Sequence, residues 1–172
     1  LARAARLGYY LTLVFIDLDN FKFINDGLGH VAGDELLKSI AARLAGSLRS
    51  SDTVARVGGD EFVLVLSDHY RISTVISLLE RVLNEIRRPV MLAGREFQVG
   101  ASLGVAMFPD DGEDAQSLRK HADIAMYAAK KRGRNNFQFF THDPNRIAEE
   151  RLKPEAAMRV ARGRNRCAGA SP

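Results

Sequence analysis

The amino-acid sequence predicts an α/β domain built on a mixed, largely antiparallel sheet flanked by helices. Three observations carry that prediction. Residues 11–16, LTLVFI, are apolar nearly throughout and read as a strand covered on both faces. Two β-rich runs, TVARV and EFVLVL, flank the pair Gly58 and Gly59, which is the pattern of a hairpin. Three longer stretches between the strand-like runs repeat apolar residues at helical spacing. Hairpins interleaved with crossover helices give an α/β sheet whose neighbours are mainly antiparallel.

Taken in order, residues 1–7 are rich in Ala, Arg and Leu and read as a helix end that Gly8 stops. The strand at 11–16 runs into the polar segment DLDNFKFINDGLGH, which must bend and holds at most a short helix. Leu36, Leu37, Ile40, Leu44 and Leu48 place a helix over 32–48. The Gly58-Gly59 hairpin follows. Ile72, Val75, Ile76, Leu79, Val82, Leu83 and Ile86 mark an amphipathic helix over 72–86, closed by Pro89. Phe97, Val99, Ala101, Leu103, Val105 and Met107 alternate as one long strand. Pro109, Asp110, Asp111 and Gly112 make a turn. A third long helix occupies 115–131 and a closing strand 137–140. From about 143 the pattern fades and charge rises, as in a linker or an appended helix with a loose end.

A chain of 172 residues with 46% hydrophobic and 27% charged residues is one globular domain's worth, able to bury a core. Its longest apolar runs, such as 13–16 and 62–66, are far below the roughly 20 residues a membrane-spanning helix needs. One cysteine, Cys167, excludes a disulfide scaffold and fits a reducing compartment. The net charge of +4 is misleading: residues 151–172 carry six Lys/Arg and one Glu, so the body at 1–150 is close to neutral. A near-neutral body argues against a nucleic-acid substrate, which calls for a basic groove.

Carboxylates gather where strands end. Asp17 and Asp19 follow the first strand, and Asp60 and Glu61 sit inside the hairpin. A hairpin tip packed beside the first strand brings these groups together as hard oxygen ligands. Mg²⁺ takes one or two carboxylates with phosphate oxygens and water, and two such ions clamp a phosphoryl transfer. The alternative is plain turn chemistry, in which Asp and Gly are common; for Asp19 the two readings are evenly matched. His30 reads as a structural histidine in its turn, and the other histidines lack metal-ligand spacing.

Gly58-Gly59-Asp60-Glu61-Phe62 spells GGDEF, and with it the chain resembles the diguanylate cyclase family. FIDLDNFKFINDGLGHVAGDELL at 15–37, SLGVAMFPDDG at 102–112 and AMYAAKKRGRNNF at 125–137 also match that family, in the right order, so the resemblance covers roughly 7–142. It implies a palm-like sheet similar to nucleotidyl cyclase catalytic domains, and the condensation of two GTP into cyclic di-GMP with release of pyrophosphate. Asp17, the Leu18 carbonyl, Asp60 and Glu61 are then the metal and catalytic set for two Mg²⁺, or Mn²⁺ in their place. Asn25 and Asp34 are the guanine readers, because an acceptor edge matches the N1–H and N2 amino donors that adenine lacks. The alternative for Asp34 is a helix-start aspartate on free N–H groups. Lys22, Lys130 and Arg134 are phosphate ligands, with the backbone amides of 20–22, Phe21 included, as further donors. Lys130 and Arg134 share a face if their helix continues past Gly133; a solvated basic helix end is the alternative, and the favoured one for Lys131 and Arg132. Arg49-Ser50-Ser51-Asp52 is RxxD, with five residues between it and Gly58, where the family binds its product as an inhibitor, with Arg81 as a second ligand; a surface ion pair is the alternative.

The family's usual opening turn is absent, and 143–162 resemble the link from a GGDEF domain into an EAL phosphodiesterase domain. The expectation is a GGDEF domain at 1–142 and a linker or truncated start of a following domain at 143–172. It carries a cytoplasmic location, with any membrane association provided by regions outside this chain. Two GTP joined head to tail require two such domains face to face, hence a homodimer. Beside the cyclase stand a silent GTP-binding module that tunes an attached EAL domain, and a cyclic di-GMP receptor acting through Arg49 and Asp52.

Overall fold

The computed structural model describes residues 9–67 and 72–140. The helix end at 1–7 and the linker at 143–172 lie outside the described residues. In chain order the elements are β1 (Leu11–Leu18), α1 (Phe21–Leu28), α2 (His30–Ser47), β2 (Thr53–Gly58), β3 (Glu61–Ser67), α3 (Ile72–Arg87), β4 (Val90–Leu92), β5 (Arg95–Phe97), β6 (Ala101–Phe108), α4 (Ala115–Lys131) and β7 (Asn136–Phe139).

Five strands form one sheet in the order β2-β3-β1-β6-β7. β1 is its centre and pairs antiparallel with both β3 and β6; β2 pairs antiparallel with β3, and only β7 runs parallel to its neighbour β6. Successive side chains of a strand point to opposite faces. Val14, Ile16 and Leu18 accordingly join Leu36, Ile40, Leu44, Leu79 and Val82 in the larger core, against α2 and α3. Phe15, with Leu11 and Leu13, joins Ala106, Phe108, Leu118, Ala122 and Met126 in a second core beneath α4. The sheet is thus a layer between helices, and its central strands are buried on both sides.

The single long strand expected over 97–107 is two strands in two sheets. β5 pairs with β4 in a separate hairpin, whereas β6 enters the main sheet beside β1. Alternation survives the break because it records only which face a residue takes, not which partner the strand has. In β6 it separates large from small rather than inside from outside, since all eight residues are buried. Gly104 is required there: a Cβ would lie 1.9 Å from the Ala122 carbonyl oxygen and 2.2 Å from the Met126 nitrogen, so α4 rests directly on the strand.

α4 opens on a side-chain cap. Asp114 accepts hydrogen bonds from the N–H groups of Gln116 and Ser117, both at 2.8 Å. The bend after β1 does hold a short helix, α1. α2 starts at His30, two residues before the expected boundary, with Gly29 as its cap.

Candidate active site

The site forms at one end of β1. The register places Asp17 opposite Glu61 on β3 and opposite Ser102 on β6. The Leu18 N–H donates to the Asp60 carbonyl at 3.2 Å, so the turn carrying Asp60 is stitched to the strand end carrying Asp17. Gly59 makes the turn possible with a left-handed φ of 49°, and Arg56 Nε closes it by donating to the Gly59 carbonyl at 2.9 Å.

Asp17 continues the face of Leu13 and Phe15, toward α4, and there it meets Lys130, whose Nζ lies 2.8 Å from Asp17 Oδ2. Burial pushes the Asp17 carboxyl above its ordinary range; Lys130 pulls it down, and the neighbouring charges of Asp60 and Asp19 push it up again, leaving it raised. Asp60 and Glu61 are half-buried.

The donors are hard oxygens. The Leu18 side chain lies in the core, leaving only its backbone for a ligand. Among the described residues no three His, Cys, Asp or Glu side chains stand together as a ready-made metal cage. Such a set fits Mg²⁺, which needs only one or two carboxylates when phosphate oxygens and water complete its shell. The Lys130 ammonium shows that Asp17 has room for a positive charge.

Asp19 is the departure. Its Oδ1 accepts from Ser102 Oγ at 2.7 Å and its Oδ2 from the Asn135 N–H at 2.9 Å, so both oxygens are engaged by protein. Of the two readings the sequence left open, the structural one describes it. The signal lay in Gly100, where the chain passes within reach of Asp19: a Cβ there would stand 2.9 Å from Asp19 Oδ2.

On α1 the Phe21 ring is buried, which leaves its backbone as the part a ligand can reach, and Lys22 is exposed. Asn20, with φ 60°, turns the chain into this helix. Asn25 Oδ1 is buried without a hydrogen-bond partner, and a Cβ on Gly33 would stand 1.9 Å from it. A buried acceptor left without a donor is uncommon. Asp34, next to Gly33, is exposed and lies beyond the first turn of α2, so it does not cap the helix start.

Lys130 and Arg134 do not share a helical face. α4 ends at Lys131, and Gly133, Arg134 and Asn135 follow with φ of 101°, 61° and 51°. Lys131 instead lies over the Tyr127 ring, 4.7 Å from its centroid.

Arg49 and Arg81 line a groove of about 630 Å³ between α2 and α3, together with Arg43, Ser47, Glu85 and Arg88. Arg81 donates to the Ser47 carbonyl at 2.7 Å. Asp52 is not part of that lining; its carboxylate accepts the N–H groups of Arg49 at 3.1 Å and Ser67 at 3.3 Å and so holds the turn between α2 and β2. Arg43 and Arg88 were not anticipated from the sequence. Arg81, Glu85 and Arg88 repeat at helical spacing, which is the pattern that would have pointed to them.

The family model for the diguanylate cyclase GGDEF domain matches residues 1–136. The chain belongs to the GGDEF family. Among its relatives is the cyclic di-GMP phosphodiesterase NbdA of Pseudomonas aeruginosa, 42% identical over 90% of this chain and 20% of that protein. Another is the bifunctional diguanylate cyclase/cyclic di-GMP phosphodiesterase MucR of the same organism, 39% identical over 88% of this chain and 22% of that protein. This GGDEF chain therefore spans about a fifth of the length of these curated relatives. The solved GGDEF domain of the Pseudomonas aeruginosa protein YfiN, also called TpbB, superposes with a TM-score of 0.79 at 35% identity, covering 83% of this chain and 89% of that one. The layered, mostly antiparallel architecture is thus that of GGDEF domains.

Proposed function

We propose that this GGDEF domain is a diguanylate cyclase, condensing two GTP into cyclic di-GMP with loss of two pyrophosphates. The observation that carries the reading is the register of Asp17 against Glu61 with Asp60 bonded to the same strand end, which gathers the acidic donors beside Lys130.

Asp17, the Leu18 carbonyl, Asp60 and Glu61 would hold two Mg²⁺, or Mn²⁺, together with the triphosphate. Bound there, the ions supply charge neutralisation at the α-phosphate and the leaving pyrophosphate. Lys130 moves from Asp17 to the triphosphate, and Arg134 binds it from the loop beyond α4. Lys22 and the amides of 20–22 contact phosphate oxygens from α1. Asn25 Oδ1 receives the donor it lacks from the guanine edge, and Asp34 accepts from the same edge. Glu61 takes the proton of the attacking 3′-hydroxyl. One domain holds one GTP, so catalysis requires two chains face to face.

Two observations favour additional readings. The 42%-identical relative NbdA is a phosphodiesterase, and this chain covers only a fifth of it, which supports a GTP-binding module regulating an attached EAL domain. The groove at Arg49 and Arg81, cationic on both helices, suits an anionic dinucleotide and supports product inhibition there.

The test is turnover of GTP with Mg²⁺ across a range of protein concentrations, with Asp60→Ala alongside. Cyclic di-GMP that rises faster than linearly with protein and vanishes in the variant supports a dimeric cyclase. GTP binding with no product at any concentration discards catalysis and leaves the regulatory module.

A further inference from the structure

We infer that Asp19 is a positioning residue for the loop that presents Arg134, and that Arg87 clamps the same loop from the end of α3. The inference rests on the reading of Arg134 as a phosphate ligand.

The loop is unusual in its backbone. Gly133, Arg134 and Asn135 are left-handed in succession; Gly and Asn take that conformation readily, whereas the Arg134 side chain disfavours it. Such a run persists only where its surroundings hold it, and these cases gather at ligand sites. Here the holding groups are specific. The Asp19 carboxylate is buried, with one oxygen fixed by Ser102 Oγ at 2.7 Å and the other accepting the Asn135 N–H at 2.9 Å. The Asp19 N–H donates to the Gly100 carbonyl at 2.9 Å, tying the residue to the start of β6. From the end of α3, Arg87 Nε donates to Asn135 Oδ1 at 2.7 Å and Arg87 Nη2 to the Asn135 carbonyl at 3.2 Å.

Asn135 is therefore gripped at its N–H, side chain and carbonyl. The residue before it, Arg134, is exposed. Its carbonyl accepts from Asn136 Nδ2 at 2.8 Å and its N–H donates to the Ala129 carbonyl at 3.2 Å, which fixes the backbone and leaves the guanidinium outward. Asp19 thus links the strand end that carries Asp17 to the loop that carries Arg134. With one oxygen on Ser102 and the other on the Asn135 N–H, the Asp19 carboxylate is oriented toward the loop.

GTP and guanosine affinities are measured by calorimetry for the unaltered chain, Asp19→Asn, Arg87→Ala, Arg134→Ala and the two double variants with Arg134→Ala. The Mn²⁺ concentration that half-saturates the nucleotide complex is read in parallel. Asp19→Asn and Arg87→Ala are expected to weaken GTP about tenfold, the worth of one charge-assisted phosphate contact, while guanosine affinity holds. On the Arg134→Ala background neither is expected to weaken GTP further, and the Mn²⁺ requirement stays unchanged. Additive losses, or a raised Mn²⁺ requirement in Asp19→Asn, would overturn the inference. If Asp19→Asn does not fold, Arg87→Ala, altered at an exposed side chain, carries the same additivity test. An Arg134→Ala variant with undiminished GTP affinity overturns the phosphate-ligand reading itself, a result separate from any loss of additivity.

Discussion

Lys130 closes on Asp17: its ammonium lies 2.8 Å from the carboxylate, with the lysine side chain 29% and the aspartate side chain 13% exposed. The pair joins the last turn of α4 to the end of β1, and it sets a cation against the carboxylate assigned to metal. Under the function proposed above, lysine and a divalent ion would compete for Asp17, and Lys130 would become available to phosphate on leaving it.

Lys130→Met removes the competitor. Divalent-ion affinity of the nucleotide-free protein should rise, read by Mn²⁺ titration with electron paramagnetic resonance. GTP affinity should fall about tenfold for the lost charge-assisted contact. Unchanged Mn²⁺ affinity would show that the pair does not restrain the site.

Asp17→Asn should raise the thermal midpoint at pH 7. Burial holds the Asp17 carboxyl above its ordinary range, so the folded state binds that proton more tightly than the unfolded chain does. Its contribution to stability is complete below the ordinary value of about 3.9 and is lost as pH rises through the raised folded value. The gain from Asn should accordingly shrink toward pH 3. A variant less stable at pH 7 than the unaltered chain would mean that the Lys130 pair outweighs the burial cost.

Gly104→Ala should lower stability by about 1–3 kcal/mol, because the added carbon meets backbone of α4 and not a movable side chain. Gly46→Ala is the control. Nothing stands within 4 Å of its Cβ position on α2, and the change should stabilise by about 0.5–1 kcal/mol. Denaturant unfolding of both variants measures the contrast, and equal midpoints would refute the close β6–α4 approach.

Asp114→Ala should lower the thermal midpoint by freeing the first N–H groups of α4. The hydrogen bonds from Ser117, backbone first and then side chain, hold the Asp114 carboxyl below its ordinary range. Its stabilisation is therefore present above the ordinary value and is lost as pH falls through the depressed one. The gap between Ala variant and unaltered chain should close in strong acid. A gap that persists there would assign the effect to something other than the ionised cap.

Much of this was legible in the sequence, for reasons that can be named. The Gly58-Gly59 pair between β-rich runs announced the hairpin because left-handed backbone at Gly59 is a local demand. The apolar spacing of 32–48 and 72–86 announced α2 and α3 because a helix facing a core must repeat near 3.6 residues. The acidic residues of the site were nominated by type and by their position where strands end.

What escaped the sequence depends on partners. Alternation over 97–107 could not reveal that β5 and β6 belong to different sheets. Asp17 and Asp19 look alike in DLD, yet one reaches Lys130 on α4 and the other is absorbed by Ser102 and Asn135. Arg49 and Asp52 read as one motif, but Arg49 lines the groove while Asp52 fastens a turn. By itself the sequence determined the helices, the hairpin, the alternating faces of the sheet and the candidate chemistry, since these follow from local conformation and periodic burial. Only the tertiary structure decided which carboxylate meets a lysine ammonium and which is pinned by a hydroxyl and a backbone N–H, because a carboxylate's fate is set by the donors that long-range packing brings within 3 Å.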